Sequence, residues 1–417
     1  MSEKAMETRA WAEIAPETRE VERRWGSVPE GMGSRRSRSP YTYKAYVPKP
    51  IAERDFQVNG ETTAAIAAAQ QACTELNINP PDALHLEALA RQLLRAEAVA
   101  SSRIEGLVLS HRRLARAFFT DPEGNDTAAA VVANVRATER AIDLASSAEA
   151  ITVGTIIEIH HTLFAGTRDE GIGGLIREEQ NWVGGSSSGP ADAEFVPPPA
   201  EFVRPALEDL ADFFGRTDLA PVLQAAVAHA QFETIHPFLD GNGRVGRALI
   251  HVVFRRRGLT PYYVPPVSLV LAGRADRYVR GLTDYRFGNE NAWYLTFGEA
   301  VEAAADGARE FGKKVAALQQ QWRELAGNPR PQSGARKLID ALPVHPVVNL
   351  KTVQEVTNVS PEAARQALNR LEEAGVLRTI SVGRRNRAFE SVGLFALLDS
   401  FERDLGPAGR VPVPSQY

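Results

Sequence analysis

Twelve residues, His236-Pro-Phe-Leu-Asp-Gly-Asn-Gly-Arg-Val-Gly-Arg247, join two helical stretches and limit what can be built around them. Upstream, Pro221 to Ile235 is apolar and alanine-rich, with no Gly or Pro after Pro221. Val222, Ala225, Ala226, His229 and Ala230 recur there at helical spacing, and Pro221 suits a first-turn position. Downstream, Val245, Leu249, Ile250, Val253 and Phe254 mark one face of a second helix over Arg244 to Arg257. The Gly-Asn-Gly turn therefore sits just before a helix N-terminus, where unpaired backbone N–H groups and the positive end of the dipole favour phosphate oxygens.

The residue types in this window suit a polyphosphate. Gly241 and Gly243 permit positive φ and let a ligand approach the backbone. Arg244 and Arg247, three apart, share a helix face and can reach one polyphosphate. His236 is a candidate base and Asp240 a hard oxygen ligand suited to Mg²⁺. A lone histidine is more often a hydrogen-bonded structural residue, and a lone Gly-x-Gly more often a turn. Their concurrence in one window points instead to a triphosphate site. It is not a Walker A loop, because no Gly-Lys-Ser/Thr follows.

The same window resembles the signature of the Fic family, His-Pro-Phe-x-Asp/Glu-Gly-Asn-Gly-Arg-x-x-Arg, and matches every fixed position. Most Fic proteins move AMP from ATP onto a hydroxyl of a target protein. The resemblance implies His236 as general base, Asp240 as the Mg²⁺ ligand, and Gly241, Asn242 and Gly243 as phosphate binders. It implies Arg244 on the α/β-phosphates, Arg247 on the γ-phosphate, and Phe238 as a core anchor for the loop. Such transfer needs positioning and charge neutralisation more than covalent catalysis.

A second segment, Ser101-Ser-Arg-Ile-Glu105-Gly106, ends a helical pattern running from Ala83 to Ala100. Ser101 and Glu105 are four apart and share a face, and Gly106 fits a helix stop. In isolation these are ordinary residues of an exposed helix end. They resemble, however, the inhibitory Ser/Thr-x-x-x-Glu-Gly/Asn motif of Fic proteins with an autoinhibitory helix. By that resemblance Glu105 pairs with Arg247 and displaces the γ-phosphate. A third stretch, Gly171 to Pro199, has glycine punctuation around Ile176 to Val183 and ends in Phe195-Val-Pro-Pro-Pro199. It reads as a hairpin and resembles the Fic flap, which docks a target segment by edge pairing; a plain surface hairpin has the same pattern.

The rest of the chain adds organisation. Its 417 residues suit two or three domains, with 24% charged and 44% hydrophobic residues as in soluble proteins. The one cysteine, Cys73, excludes an internal disulfide. No stretch is long and apolar enough to span a bilayer and no leader is legible, so no membrane partner and a cytoplasmic location are expected. The expected fold is mainly α: a helical Fic core with a small β-hairpin flap, plus a C-terminal winged-helix domain. Its expected boundaries are a flexible segment at 1–42, an N-terminal region with the inhibitory helix at 43–125 and a catalytic core at 126–326. A linker at 327–334, a winged helix-turn-helix at 335–400 and a tail at 401–417 complete it. Between Gln332 and Phe389 nine Lys/Arg face five Asp/Glu, a local +4 in a chain of net −4. Arg365, Arg370 and the arginines from Arg384 to Arg387 make DNA a candidate partner, against a plain protein-interaction module.

Two function classes follow. One is a self-restrained adenylyltransferase using ATP and Mg²⁺ on an unidentified target protein or on itself, with a homodimer left open. The other is a DNA-binding regulator whose Fic site only senses nucleotide. A third reading stays within the enzyme class: removal of AMP, with Glu105 activating water.

Overall fold

The structure is a computed structural model and describes residues 20–26, 40–78, 86–119, 126–185, 189–382 and 386–406. Strands β1 (Glu20–Trp25) and β2 (Tyr41–Tyr46) pair antiparallel, Glu20 opposite Tyr46. Then come α1 (Gly60–Ile78), α2 (Leu86–Ile104), α3 (His111–Phe119), α4 (Asp126–Ser147) and α5 (Val153–Phe164). Next are α6 (Ala200–Phe213), α7 (Pro221–Ile235), α8 (Asn242–Arg256), α9 (Val267–Gly273), α10 (Ala275–Arg286) and α11 (Glu290–Leu325). The C-terminal part is α12 (Gly334–Ala341), β3 (Val347–Val348), α13 (Leu350–Thr357), α14 (Pro361–Glu373), β4 (Leu377–Val382), β5 (Asn386–Ser391) and α15 (Leu394–Leu405).

Helix α7 is the axis of this mainly helical fold. Every residue from Val222 to Ile235 is buried, so it has no solvent face, and its polar residues Gln224, His229, Gln231, Glu233 and Thr234 are buried with the apolar ones. Helix α8 is buried from Asn242 to Phe254 and packs beside it. The loop His236–Gly241 is thereby pinned between two core helices. At 1.5 Å per residue, α11 spans about 54 Å and runs from this core to the C-terminal part.

Three expectations need correction. Residues 1–42 are not uniformly a flexible segment, because Glu20–Trp25 and Tyr41–Tyr46 pair, driven by alternation of apolar and polar side chains along both. The remainder of that segment lies outside the described residues. The flap is not a regular hairpin: a single bridge, Val183 opposite Phe195, closes it, and a second bridge ties Ile176 to Phe238. The Pro197–Pro199 run prevents more ladder bonds on that side. Finally, the C-terminal part is not set apart by a free linker or ended at residue 400. Helix α15 crosses that boundary, and Gly273 and Gly307 give it room: a Cβ there would lie 2.9 Å from Gly406 and 2.6 Å from Leu405.

Within the C-terminal part the three strands lie in the order β3–β5–β4, all antiparallel. Asn349 caps α13 and Ser360 caps α14, with Pro361 in the first turn. Asn358 supplies the left-handed turn between them. Residues 383–385, at the expected wing, lie outside the described residues.

The C-terminal part bears on α3 and on α2, the helix that carries Ser101 and ends just before Glu105. Arg103 donates to both oxygens of Glu402 at 2.9 and 2.8 Å, and His111 Nε2 lies 2.8 Å from the same carboxylate. Arg112 and Arg116 approach the fully buried Glu390 at 3.1 and 3.5 Å. Gln92 donates to the Pro343 carbonyl and Arg95 to that of Val344 at 3.2 Å. Burial alone would raise the Glu402 pKa, but the His111 bond and the Arg103 guanidinium outweigh it and hold the carboxyl at about 2. The sign follows: this carboxylate stabilises the fold above its unfolded pKa of about 4.3, and that contribution is lost as pH falls from there towards 2. Glu402→Gln should therefore flatten the acid limb of a thermal-stability profile over that window. An unchanged limb would show that the pair contributes nothing.

Candidate active site

The site is built at the junction of α7 and α8. His236 ends α7 in the left-handed region, φ 49°, ψ 60°, which turns the chain sharply into the loop. Phe238 is fully buried and stacks on His160, ring centroids 3.7 Å apart. Gly174 N–H donates to His160 Nδ1 at 2.8 Å, so Nε2 is the protonated nitrogen facing the Asp240 carbonyl at 3.0 Å. Gly241 takes φ +80°, and a Cβ there would lie 2.9 Å from Leu163 and Phe164. Only glycine fits at that turn.

The Asn242 side chain faces inward. Its Oδ1 accepts from Phe238 N–H at 2.9 Å and its Nδ2 donates to the Phe238 carbonyl at 2.8 Å. That side chain thereby closes the loop on itself. The Gly241 N–H is likewise taken, by Asp240 Oδ1 at 2.5 Å. What remains for an anion is the start of α8, which no side chain caps from the Gly241 position.

A carboxylate occupies that start. A Cβ built on Gly243 would lie 2.0 Å from Glu105 Oε1 and 2.8 Å from Arg247 Nη1. Glu105 Oε1 accepts from Arg247 Nη2 at 2.7 Å. Arg247 also donates from Nε to Ser101 Oγ at 3.0 Å and from Nη2 to the Ser101 carbonyl at 2.8 Å. Its side chain is 2% exposed, that of Glu105 23%. Burial pushes the Arg247 pKa down, but Glu105, with Tyr278 and Glu233, outweighs this and holds it above its ordinary value. The structure thus brings together Ser101, Glu105, Gly243 and Arg247, residues up to 146 positions apart in sequence. The oxygens of Glu105 stand where phosphate oxygens would meet the helix start and the guanidinium.

His236 is half-buried. Burial first, then the Arg177 and Arg286 charges, lower its ring pKa to about 3, opposed by the Glu233 carbonyl and Asp240. The imidazole is therefore neutral at physiological pH and able to accept a proton. Asp240 is 59% exposed at its side chain, with Arg244 Nη2 3.0 Å from Oδ2. Arg244 lies over the Phe164 ring, 5.3 Å from its centroid. A single outward carboxylate fits Mg²⁺, which is commonly held by one or two carboxylates together with substrate phosphates. Among the described residues no group of three or more His, Cys, Asp or Glu side chains is placed to enclose a metal.

Residues 150–254 match the family model described as Fic/DOC family, and residues 63–143 match Fic/DOC family N-terminal. These two stretches belong to the Fic/DOC family. The first contains the whole His236–Arg247 loop and the second contains Ser101 and Glu105, so the Fic/DOC assignment covers both halves of the contact just described. Over 138 residues, 32% of this chain, the sequence is 32% identical to protein adenylyltransferase fic-1 of Caenorhabditis elegans, covering 24% of that protein. Over 116 residues, 28% of the chain, it is 35% identical to protein adenylyltransferase Fic of Drosophila willistoni, covering 22% of it. The chain thus spans about a quarter of the length of these curated relatives. A solved Fic family protein from Desulfovibrio desulfuricans G20 superposes at TM-score 0.49 and 21% identity, over 81% of this chain and 98% of that one.

Other residues near the Fic/DOC loop carry weaker sequence signals. Glu233 sits beneath it, 7% exposed, its Oε1 without a hydrogen-bond partner. Burial raises its carboxyl to about 7 against the pull of Arg247, with Glu105 adding to the rise. A lone acid in an alanine-rich buried helix, three residues before the histidine, was the available clue. Tyr278 and Trp293 are core residues: Tyr278 meets His229 Nε2 at 2.8 Å, and Trp293 donates to the Ala226 carbonyl at 2.8 Å.

Proposed function

We propose that this chain is a protein adenylyltransferase that holds its own site shut. The observation that carries the reading is the Glu105 carboxylate lying against Gly243 and paired with Arg247, beside a neutral His236 and an outward Asp240. Relatives named protein adenylyltransferase support the choice of AMP transfer from ATP.

With Glu105 withdrawn, Arg247 and the start of α8 bind the β/γ end of the triphosphate, and Arg244 neutralises the α/β end. His236 takes the proton of a target Ser, Thr or Tyr hydroxyl. That oxygen attacks the α-phosphorus, an O–P bond forms, and the bond to the leaving pyrophosphate breaks. Mg²⁺ held by Asp240 supplies charge neutralisation on the phosphates when bound. The binding of a polyanion beside His236 raises its proton affinity, moving it towards a useful base strength. The target is a hydroxyl on another protein or on a second copy of this chain.

The test uses full-length Glu105→Gly protein and ATP labelled at either the α- or the γ-phosphate. Label carried only by the α-phosphate onto protein, dependent on His236, is the expected result. Transfer from the γ-phosphate instead would make the chain a kinase, and loss of pre-attached AMP with the parent protein, which keeps Glu105, would favour the removal reading.

DNA contact by the C-terminal part has thinner support. Arg370 donates to the Ala326 carbonyl, Arg336 pairs with Asp340, Arg378 with Glu390, and Arg387 with Glu372 at 2.7 Å. Lys351 and Arg365 remain well exposed. Because α15 grips Arg103, any ligand that shifts the C-terminal part also loosens α2, and with it Glu105. Glu402→Gln should accordingly raise amide exchange in the last turn of α2. Unchanged exchange there would separate the C-terminal part from control of the site.

A further inference from the structure

Arg177 is a buried arginine with an unusual partner set. It is 3% exposed and, among the described residues, forms no ion pair with a carboxylate. Its donors go to four backbone carbonyls instead: Nε to His236 at 2.8 Å, Nη1 to Glu179 at 2.9 Å, and Nη2 to Pro198 at 2.5 Å and Ile235 at 3.4 Å. Its own N–H donates to the Pro237 carbonyl at 3.0 Å. Asn181 adds Nδ2 contacts to the carbonyls of His236 at 3.3 Å and Phe238 at 3.0 Å.

A buried cation without a counterion is expensive, and a packed apolar side chain would serve stability better. This one is tolerated because it meets the C-terminus of α7, where unpaired carbonyls and the negative end of the dipole accept a cation. Burial lowers its pKa to about 10, so it stays charged at neutral pH. The place it holds is the left-handed backbone of His236, a conformation that favours reversal unless its surroundings fix it. The same fork reaches Glu179 and Pro198, which flank the Val183–Phe195 bridge. One side chain therefore joins three things: the end of the core helix, the histidine backbone and both arms of the segment from Ile176 to Pro198.

We infer that Arg177 is the positioning residue of this site, setting His236 at its working place and tying it to the 176–198 segment. This rests on the reading of His236 as the base. The electrostatics agree: the groups acting on the His236 ring are Arg177 from the segment, Arg286 from α10, Asp240 from the loop and the Glu233 carbonyl from α7. The planar fork matters as well as the charge, since a lysine offers one point donor group where carbonyls converge from several directions.

The test compares Arg177→Ala and Arg177→Lys in the full-length Glu105→Gly protein. Turnover in AMP transfer should fall about a hundredfold in both, the cost of misplacing a catalytic group by about 1 Å, with ATP affinity unchanged. Guanidinium ion added to Arg177→Ala should restore much of the loss, and methylammonium should not. Turnover near the parent's in Arg177→Ala, full activity in Arg177→Lys, or no guanidinium rescue in protein that still binds ATP would each overturn the inference. A second arm needs no catalysis. The His236 ring resonances in nucleotide-free protein should shift in Arg177→Ala and return with guanidinium; resonances that stay put also overturn it. If the Glu105→Gly parent itself transfers nothing, the functional reading fails, and the resonances still decide the role of Arg177.

Discussion

Replacing His236 with alanine should abolish AMP transfer while leaving ATP affinity nearly intact. Removal of a positioned general base costs about 10²- to 10⁴-fold. Little binding should be lost, because the anion contacts come from Arg244, Arg247 and the start of α8 rather than from the imidazole. The pH dependence follows from the same geometry. With its pKa lowered to about 3, the ring is neutral throughout pH 5 to 8 in the absence of nucleotide. Binding of the base-dependent substrate should therefore show no acidic limb from His236 above pH 5. Single-turnover label transfer and calorimetric ATP binding, run on the same preparations, check both parts. Residual transfer within tenfold of the parent would remove His236 from the base role.

Glu105→Gly should have the opposite effect, raising transfer by roughly two orders of magnitude. The contact it removes is a buried Arg–carboxylate pair, and breaking such a pair leaves an uncompensated charge costing about 3–5 kcal/mol. Glu105 keeps 23% of its side chain in solvent, so the lower end applies, about 3 kcal/mol, equivalent to roughly a hundredfold. The triphosphate recovers that charge when it binds Arg247. Two measurements follow from one cause. Without nucleotide, Glu105→Gly should melt lower than the parent, because Arg247 loses its paired carboxylate and keeps its Ser101 contacts, Tyr278 and the more distant Glu233. With ATP the difference should shrink, and AMP, lacking the γ-phosphate, should not produce the same recovery. Arg247→Ala should weaken both the closed state and triphosphate binding, since one guanidinium serves both.

The loop and the two helices around it were legible in the sequence, because they depend on local rules: helical period and a glycine turn at a helix start. The Glu105–Arg247 contact, 142 residues apart, was legible only through the resemblance of both segments to Fic motifs. What stayed hidden depends on tertiary placement. Asn242 reads as a phosphate ligand from its position, yet its amide closes the loop on Phe238, and only the folded loop decides between those partners. Arg177 reads as one charged residue in a surface segment, whereas its carbonyl partners lie up to 59 residues away. The docking of α15 on α2 was equally invisible, because a glycine- and proline-rich stretch signals a break in the helix and says nothing about where the next module packs. The β1–β2 pair was missed because a short alternating strand beside a basic run has the composition of a tail.

The central claim is that the site is complete and closed by one carboxylate. It is tested most directly by measuring α-phosphate label transfer from ATP by three full-length proteins side by side: the parent, Glu105→Gly, and Glu105→Gly with His236→Ala. The account predicts weak transfer by the parent, a rise of about a hundredfold in the single variant, and loss of that rise in the double variant. Equal transfer by the parent and Glu105→Gly, or a rise that survives the loss of His236, would contradict it.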